Sequence, residues 1–578
     1  MTLSSNKGYL VKFINNKKWL FISIFLFLIL SNIFSYKFIS QERYIYNWDN
    51  LNYWQKTIFM KEGFDKHPVE TLKTVIYSIR EDDYNQLPAF ILMPFSYLFG
   101  QGRVAYILSI VNIFAFSAAI SFVLLHRSLC KSFAYNSIFV PAIPVVVLLL
   151  SPNFWLPVLS GFVDVGGILL INLILLLYFN RPFSEQRKRD FIFIAFLIPM
   201  LILFRRWYAY WGLAFYITLI IYTILNSLIT RPINVKDLVK VLIKIFFQIV
   251  VSIVFLFIIA PTFSHRIFAT NYADIYSAYR HSSTLLQSFI FILGRFGLFF
   301  FTLFLIGAIT LILDKKTRNL SLFLVIQWVI IFWSFSRTQD FDSHQLYLLL
   351  PTMYLFVSLL ITKLIIEGKH FRIPLITLLI IMSILNFLPV FSSTKSFDNK
   401  KFGPLFTNMQ HYPYLRNDIQ EFDKIFNALN GLLSSPKDRV YVLASSAILN
   451  SNMMNNAFLS LHRYRSICLK ILTTHDIDKR DGFPQELLDA KYVIVADPIQ
   501  YTERPKDQRV IGIPAELILS HIGIGASFEK LPYEFTLDGN VKVYIYKKIK
   551  SFNKSDLFSF SKTLRSYYPD RSYIFEYK

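Results

Sequence analysis

The chain has 578 residues, 54% of them hydrophobic and 17% charged, with a mean hydropathy of +0.44. A soluble domain of this length cannot bury so much apolar surface, which excludes an ordinary soluble enzyme. The formal charge of +23 is spread between apolar blocks rather than gathered into a basic domain with interleaved aromatics, which argues against nucleic-acid binding.

A basic start (Lys7, Lys12, Lys17, Lys18) leads into an apolar run over 19–38 that no small-residue cleavage site follows. The pattern predicts an uncleaved signal anchor. Further apolar blocks fall near 104–125, 135–151, 161–179, 191–204, 208–226, 241–260, 286–313, 319–335, 346–362 and 373–390. Most are near the ~20 residues that cross a hydrocarbon core. With the N-terminus inside, the inner loops (126–131, 181–190, 231–244, 314–318, 363–372) hold roughly sixteen Lys and Arg, against roughly five in the short outer loops. The expected architecture is therefore a polytopic α-helical membrane protein of about eleven spans, with the N-terminus cytoplasmic. A transmembrane part over 1–390 carries a large first outer loop at 39–103, and a periplasmic α/β domain follows over 391–578. The strand-like runs Arg439–Ala444 and Lys491–Asp497, helix-like patterns near 416–433 and 484–490, and a hairpin around Asp538-Gly539 carry the α/β reading. Cys130 and Cys468 fall on opposite sides of the membrane in this threading and have no metal-type neighbours.

The unusual residues gather in the outer loops. Trp48-Asp49-Asn50 lies just past the first span, and Arg80-Glu81-Asp82-Asp83-Tyr84 precedes the second. A carboxylate can take a proton from a hydroxyl nucleophile, and a pair can hold a divalent cation such as Mg or Mn. The plainer reading has Asp49 capping a helix that starts near Leu51, with Asp82 and Asp83 in solvated loop. Arg205-Arg206-Trp207 interrupts apolar sequence; its arginines suit phosphate oxygens, or else snorkel to headgroups. Between two later spans run Arg337-Thr338-Gln339-Asp340-Phe341-Asp342-Ser343-His344-Gln345-Leu346-Tyr347. There His344 can meet a phosphate, a metal or a sugar hydroxyl, or be a satisfied interfacial histidine. Asp164, the one acid apparently within a span, is expected to face a cavity or a partner.

An anchor helix followed by a large loop that opens with an Asp and carries a second acidic motif resembles the GT-C superfamily of membrane glycosyltransferases. Its members include protein O-mannosyltransferases and aminoarabinose transferases. The resemblance is sharpest at Trp48-Asp49-Asn50, at Asp82-Asp83 with Gln86-Leu87-Pro88-Ala89-Phe90, and at Gln339-Asp340-Phe341 with His344-Gln345-Leu346-Tyr347. It implies transfer of a hexosyl or pentosyl group, with inversion, from a polyprenyl-phosphate donor to a lipid, polysaccharide or protein acceptor at the outer face of a bacterial cytoplasmic membrane. Asp49 takes the place of the base and Asp83 or Asp82 that of the second acid. Arg205, Arg206, Arg337 and His344 stand where the donor phosphate binds, and Trp48, Gln345 and Tyr347 where substrate binds. If a divalent cation takes part, its ligands would be Asp49, Asp83 and His344. The C-terminal part lacks the WWD-type motif of the oligosaccharyltransferases, which argues against N-glycosylation. A transporter or flippase of a lipid-linked substrate is the alternative; it would place ionisable groups at the midplane and show repeats.

Overall fold

The computed structural model describes residues 4–135, 137, 139–181, 183–229, 235–368, 372–392 and 403–577. Parts of three expected inner loops, 182, 231–234 and 369–371, lie outside the described residues, as does 393–402, next to the expected domain boundary. The side chains of Lys7, Lys12 and Lys17 lie outside them as well.

All the long apolar blocks contain helix. In chain order these are α1 (Ser4–Ile39), the loop helices α2 (Trp48–Lys66), α3 (Pro68–Glu81) and α4 (Leu87–Phe99), then α5 (Arg103–Ser132), α6 (Ala142–Leu149), α7 (Pro152–Ser160), α8 (Val165–Phe179), α9 (Lys188–Phe204), α10 (Tyr208–Ile229), α11 (Val235–Ile259), α12 (Pro261–Ala269), α13 (Leu285–Leu313), α14 (Arg318–Ser336), α15 (Leu350–Glu367) and α16 (Arg372–Phe391). Helices satisfy every internal backbone donor and acceptor within one segment, which is what hydrocarbon demands.

Among the described residues eight helices are long and apolar enough to span, nine if the bent pair α6–α7 is one span. The expected count of eleven is thus not reached on length and composition. The reasons are local. Pro152 at the start of α7 cannot continue α6, so the block at 135–151 bends by 58° into α7 instead of crossing straight. The block at 161–179 is helical for only 15 residues, about 22 Å at 1.5 Å per residue. The 17-residue helix α9 opens with Lys188, Arg189 and Asp190.

The chain divides into two compact units. The first holds Met1–Ser40, Lys56–Thr270 and Ser282–Pro413, and so contains the spanning helices. Polar glue appears where α1 meets α5: Asn32 and Asn112 donate amide N–H groups to each other's carbonyl oxygens, at 2.9 and 2.7 Å.

The second unit holds Tyr414–Lys578 together with Gln41–Gln55 and Asn271–His281. It is built on a four-stranded sheet of order β1-β2-β4-β3, with strands β1 (Val440–Leu443), β2 (Tyr492–Asp497), β3 (Phe528–Leu537) and β4 (Val541–Lys548). The pair β1–β2 is parallel and the others antiparallel. β1 and most of β2 are buried on both faces, as expected when helices cover a sheet. The Asp538-Gly539 hairpin forms as expected, with Gly539 at φ +71°, a conformation that suits glycine.

Candidate functional site

Two ionic clusters form on the turn between α9 and α10, one with Asp164 just before α8 and one with the acidic loop between α3 and α4. Local backbone explains their geometry. Helix α9 ends at Phe204, and Arg205 is extended (φ −153°, ψ 124°). In extended backbone successive side chains point to opposite sides, so adjacent Arg205 and Arg206 leave the turn in different directions.

Arg205 turns inward. Its Nε donates to Asp164 Oδ1 at 3.0 Å, and Trp207 Nε1 donates to the same oxygen at 2.8 Å. Tyr208 OH donates to the Asp164 backbone carbonyl at 2.6 Å. The Asp164 and Arg205 side chains are 0% and 3% exposed. Gly167 makes room for this: a Cβ there would lie 2.2 Å from the Tyr208 ring. The chain entering Asp164 is pinned too. Gly161, in the left-handed region at φ +94°, ends α7. Arg103 Nη2 donates to the Ser160 carbonyl and Tyr106 OH to the Gly161 carbonyl, both at 2.8 Å, satisfying groups that a helix end leaves over.

Arg206 turns the other way. Its Nη1 donates to Asp83 Oδ2 at 2.5 Å and its Nη2 to Tyr84 OH at 3.1 Å. Arg266, on α12, donates from Nη1 to Asp83 Oδ1 at 2.9 Å. One carboxylate thus holds two guanidinium groups side by side. Asp83 is 19% exposed, Arg206 9% and Arg266 41%, so this cluster reaches solvent chiefly through Arg266. Asn85 anchors the loop by donating to the Leu203 carbonyl at 2.7 Å.

His344 lies between aromatic rings, stacked on Phe162 (centroids 4.2 Å apart) and tilted against Trp207 (5.0 Å). It is 5% exposed, and neither ring nitrogen has a hydrogen-bond partner among the described residues. Burial, and secondarily the charge of Arg205, push its pKa well below the ordinary 6.5, so the ring is neutral.

The remaining sequence-derived residues are more scattered. Asp82 is exposed at the end of α3, next to but outside the Asp83 cluster. Arg337 is exposed at the end of α14, with its guanidinium over the Trp333 ring at 4.9 Å. Gln345 is buried, and wholly buried Tyr347 donates its hydroxyl to the Phe154 carbonyl at 2.7 Å. In the second unit, half-buried Asp49 lies in the first turn of α2. The helix begins at Trp48, whose φ is +44° and whose N–H donates to Asn452 Oδ1 at 2.5 Å. Arg266 was not singled out from the sequence. The available signal was weak: a basic residue just after an apolar span, which snorkelling explains equally well.

No group of three or more His, Cys, Asp or Glu among the described residues could hold a metal ion. Asp83 spends both oxygens on guanidinium groups and His344 is packed between rings. These donors do not fit a cation site.

This arrangement sits on a known architecture. The fold is similar to that of ArnT from Cupriavidus metallidurans, solved bound to undecaprenyl phosphate. The two share 11% identity with a TM-score of 0.50, over 91% of this chain and 98% of that one. The apo state of the same protein aligns at a TM-score of 0.49, with 11% identity over 92% of this chain and 98% of that one. An oligosaccharyltransferase from Archaeoglobus fulgidus, in complex with zinc and sulfate, aligns at 0.44, with 11% identity over 82% of this chain and 67% of that one. No family model matches the chain, and no curated protein matches it in sequence. The chain is a multi-pass membrane protein with a GT-C-type fold.

Proposed function

We propose that this protein is a glycosyltransferase that moves a hexosyl or pentosyl group from a polyprenyl-phosphate donor to an acceptor hydroxyl at the outer face of the cytoplasmic membrane. The observation that carries the reading is the pair of guanidinium groups, Arg206 and Arg266, held on Asp83 at 2.5 and 2.9 Å in a GT-C-type fold. Paired planar donors match phosphate oxygens, and the leaving group of such a transfer is a phosphate.

In the proposed reaction the acceptor oxygen attacks the anomeric carbon. A new C–O bond forms as the bond to the phosphate oxygen breaks, and that oxygen keeps the electron pair. Arg206 and Arg266 stabilise the charge that develops on it, and Asp83 positions both. Asp49, the base implied by the family resemblance, accepts the proton from the acceptor hydroxyl. A single displacement inverts the anomeric centre. The proposed topology has the N-terminus inside and the second unit in the periplasm. The acceptor class is a lipid, a polysaccharide or a protein.

The test replaces Asp49 by Asn and compares envelope glycans by mass spectrometry with wild type at matched protein level. Loss of one sugar-bearing species with the protein still folded supports the reading. Unchanged glycans in Asp49→Asn, beside a defect in a full deletion, would remove Asp49 as base. No difference in the deletion would overturn the transferase itself.

A further inference from the structure

The backbone just before Asp49 takes a conformation that bulky side chains rarely adopt. Trp48 opens α2 at φ +44°, in the left-handed region. A residue with a Cβ is strained there, and such a conformation persists only where its surroundings impose it. Asp49 is the next residue, so the turn at Trp48 sets the direction in which its side chain leaves the chain.

The ties that impose this turn all lie inside the second unit. Upstream, Arg43 pairs backbone to backbone with the C-terminal part: its N–H donates to the Tyr414 carbonyl and its carbonyl accepts from the Arg416 N–H, both at 2.9 Å. Asn47 before Asp49 and Leu51 after it are buried. Between them, the Trp48 N–H donates to Asn452 Oδ1 at 2.5 Å. That N–H belongs to the first turn of a helix, where no acceptor within the helix can serve it.

Asn452 is itself held in place. It lies in the first turn of α17 (Ser451–Leu461), the helix that follows β1. Asn450 caps α17, accepting the Met453 N–H at 2.7 Å while its own amide donates to the Ser446 carbonyl at 2.8 Å. Met453 and Met454, next in the chain, are wholly buried. The Asn456 amide donates to the Asn452 carbonyl at 3.1 Å. A side chain on a packed helix is a more exact reference point than one on a loop.

We propose that Asn452 is a positioning residue for the transfer reaction: its side-chain oxygen holds Trp48 in the left-handed turn and so aims the Asp49 carboxylate at the acceptor hydroxyl. The inference rests on the reading of Asp49 as the base. It gives the sheet-bearing unit a part in the reaction, with Asn452 acting through Asp49. A misplacement of about 1 Å can slow a reaction ~10²-fold, so one hydrogen bond to this backbone is enough to matter.

The experiment expresses the full chain at low level in cells that lack it. It reads, by mass spectrometry at matched protein level, the sugar-bearing envelope species that the deletion loses. Asn452→Ala is expected to lower that species about 10²-fold. Asn452→Asp keeps an oxygen of the same reach and suits the first turn of a helix, and it is expected to restore most of the species. Ser561→Ala removes a buried hydrogen bond to the Phe575 carbonyl elsewhere in the same unit and is expected to leave the species unchanged. Hydrogen exchange of the purified protein should find the Trp48 N–H protected in wild type and in Asn452→Asp, and faster in Asn452→Ala. A wild-type level of the species in Asn452→Ala, beside its loss in Asp49→Asn, would overturn the positioning role and leave the base standing. Failure of Asn452→Asp to restore transfer, an equal loss in Ser561→Ala, or a rapidly exchanging Trp48 N–H in wild type would overturn the role as well. Unchanged glycans in Asp49→Asn would instead remove the base on which the role depends.

Discussion

Arg205 and Arg206 are neighbours in the chain, and each pairs with one aspartate at 2.5–3.0 Å, yet they live in different media. The Arg205–Asp164 pair is sealed, and its carboxylate also receives the Trp207 indole. The Arg206–Asp83 pair opens to solvent, and its carboxylate receives a second guanidinium, from Arg266. Removing one partner from a sealed pair strands a charge in low dielectric, whereas water softens the same loss in the open pair. The sealed pair therefore acts as a structural fastening between α8 and the α9–α10 turn. The open one has cationic surface to offer a ligand.

The comparison breaks most sharply under substitution of the sealed pair. Asp164→Ala or Arg205→Ala is expected to cost roughly 3–5 kcal/mol of stability, read as a large loss of folded protein in a detergent thermal-unfolding assay. Wild-type melting in either variant would show that the pair fastens nothing. Next in size, Arg206→Ala is expected to lower transfer about 10²–10³-fold, as for removal of one preorganised donor to a developing oxyanion. Its melting temperature should fall less than that of Arg205→Ala. Arg266→Ala should show the same signature with a smaller loss, because that side chain is 41% exposed. If Arg206→Ala unfolds the protein as readily as Arg205→Ala, the open cluster is a fastening too.

The smallest effect concerns His344, which packs on the sealed side. Its folded pKa lies below the ordinary 6.5, so the unfolded chain binds the proton more readily. Stability is then fully present above about pH 6.5 and falls with pH below it, by up to about 1.4 kcal/mol per pH unit for one group. Melting temperature measured from pH 7.5 to 5 should show this slope in wild type and a shallower one in His344→Phe. Equal slopes would mean that His344 is not the titrating group.

Much of the membrane part was legible because hydrocarbon imposes a length and a composition that few other settings do. The eight long spans found among the described residues coincide with apolar blocks read from sequence, and β1 and β2 with the strand-like runs Arg439–Ala444 and Lys491–Asp497. The break at Pro152 was less visible, since the blocks on either side of it are equally apolar. Asp164 could be read as an acid in need of a partner, but its partner stands 41 residues away. Arg266 lies 183 residues from Asp83, and no local pattern announces a pairing over that distance. Nor did periodicity indicate that Gln41–Gln55, which carries Asp49, groups with the C-terminal sheet. Such grouping arises from packing between distant segments.

The turn at Arg205 works as a phase setter. The extended residue that follows α9 decides which arginine pairs with buried Asp164 and which with Asp83. A one-residue insertion just before it would move Arg205 into the place of Arg206 and Arg206 into that of Trp207, breaking both pairings without changing a single charge. Natural variation at this turn should accordingly tolerate changes of neighbouring apolar residues far better than changes of length. The distance in residues from Phe204 to Arg206 is itself the information the site stores.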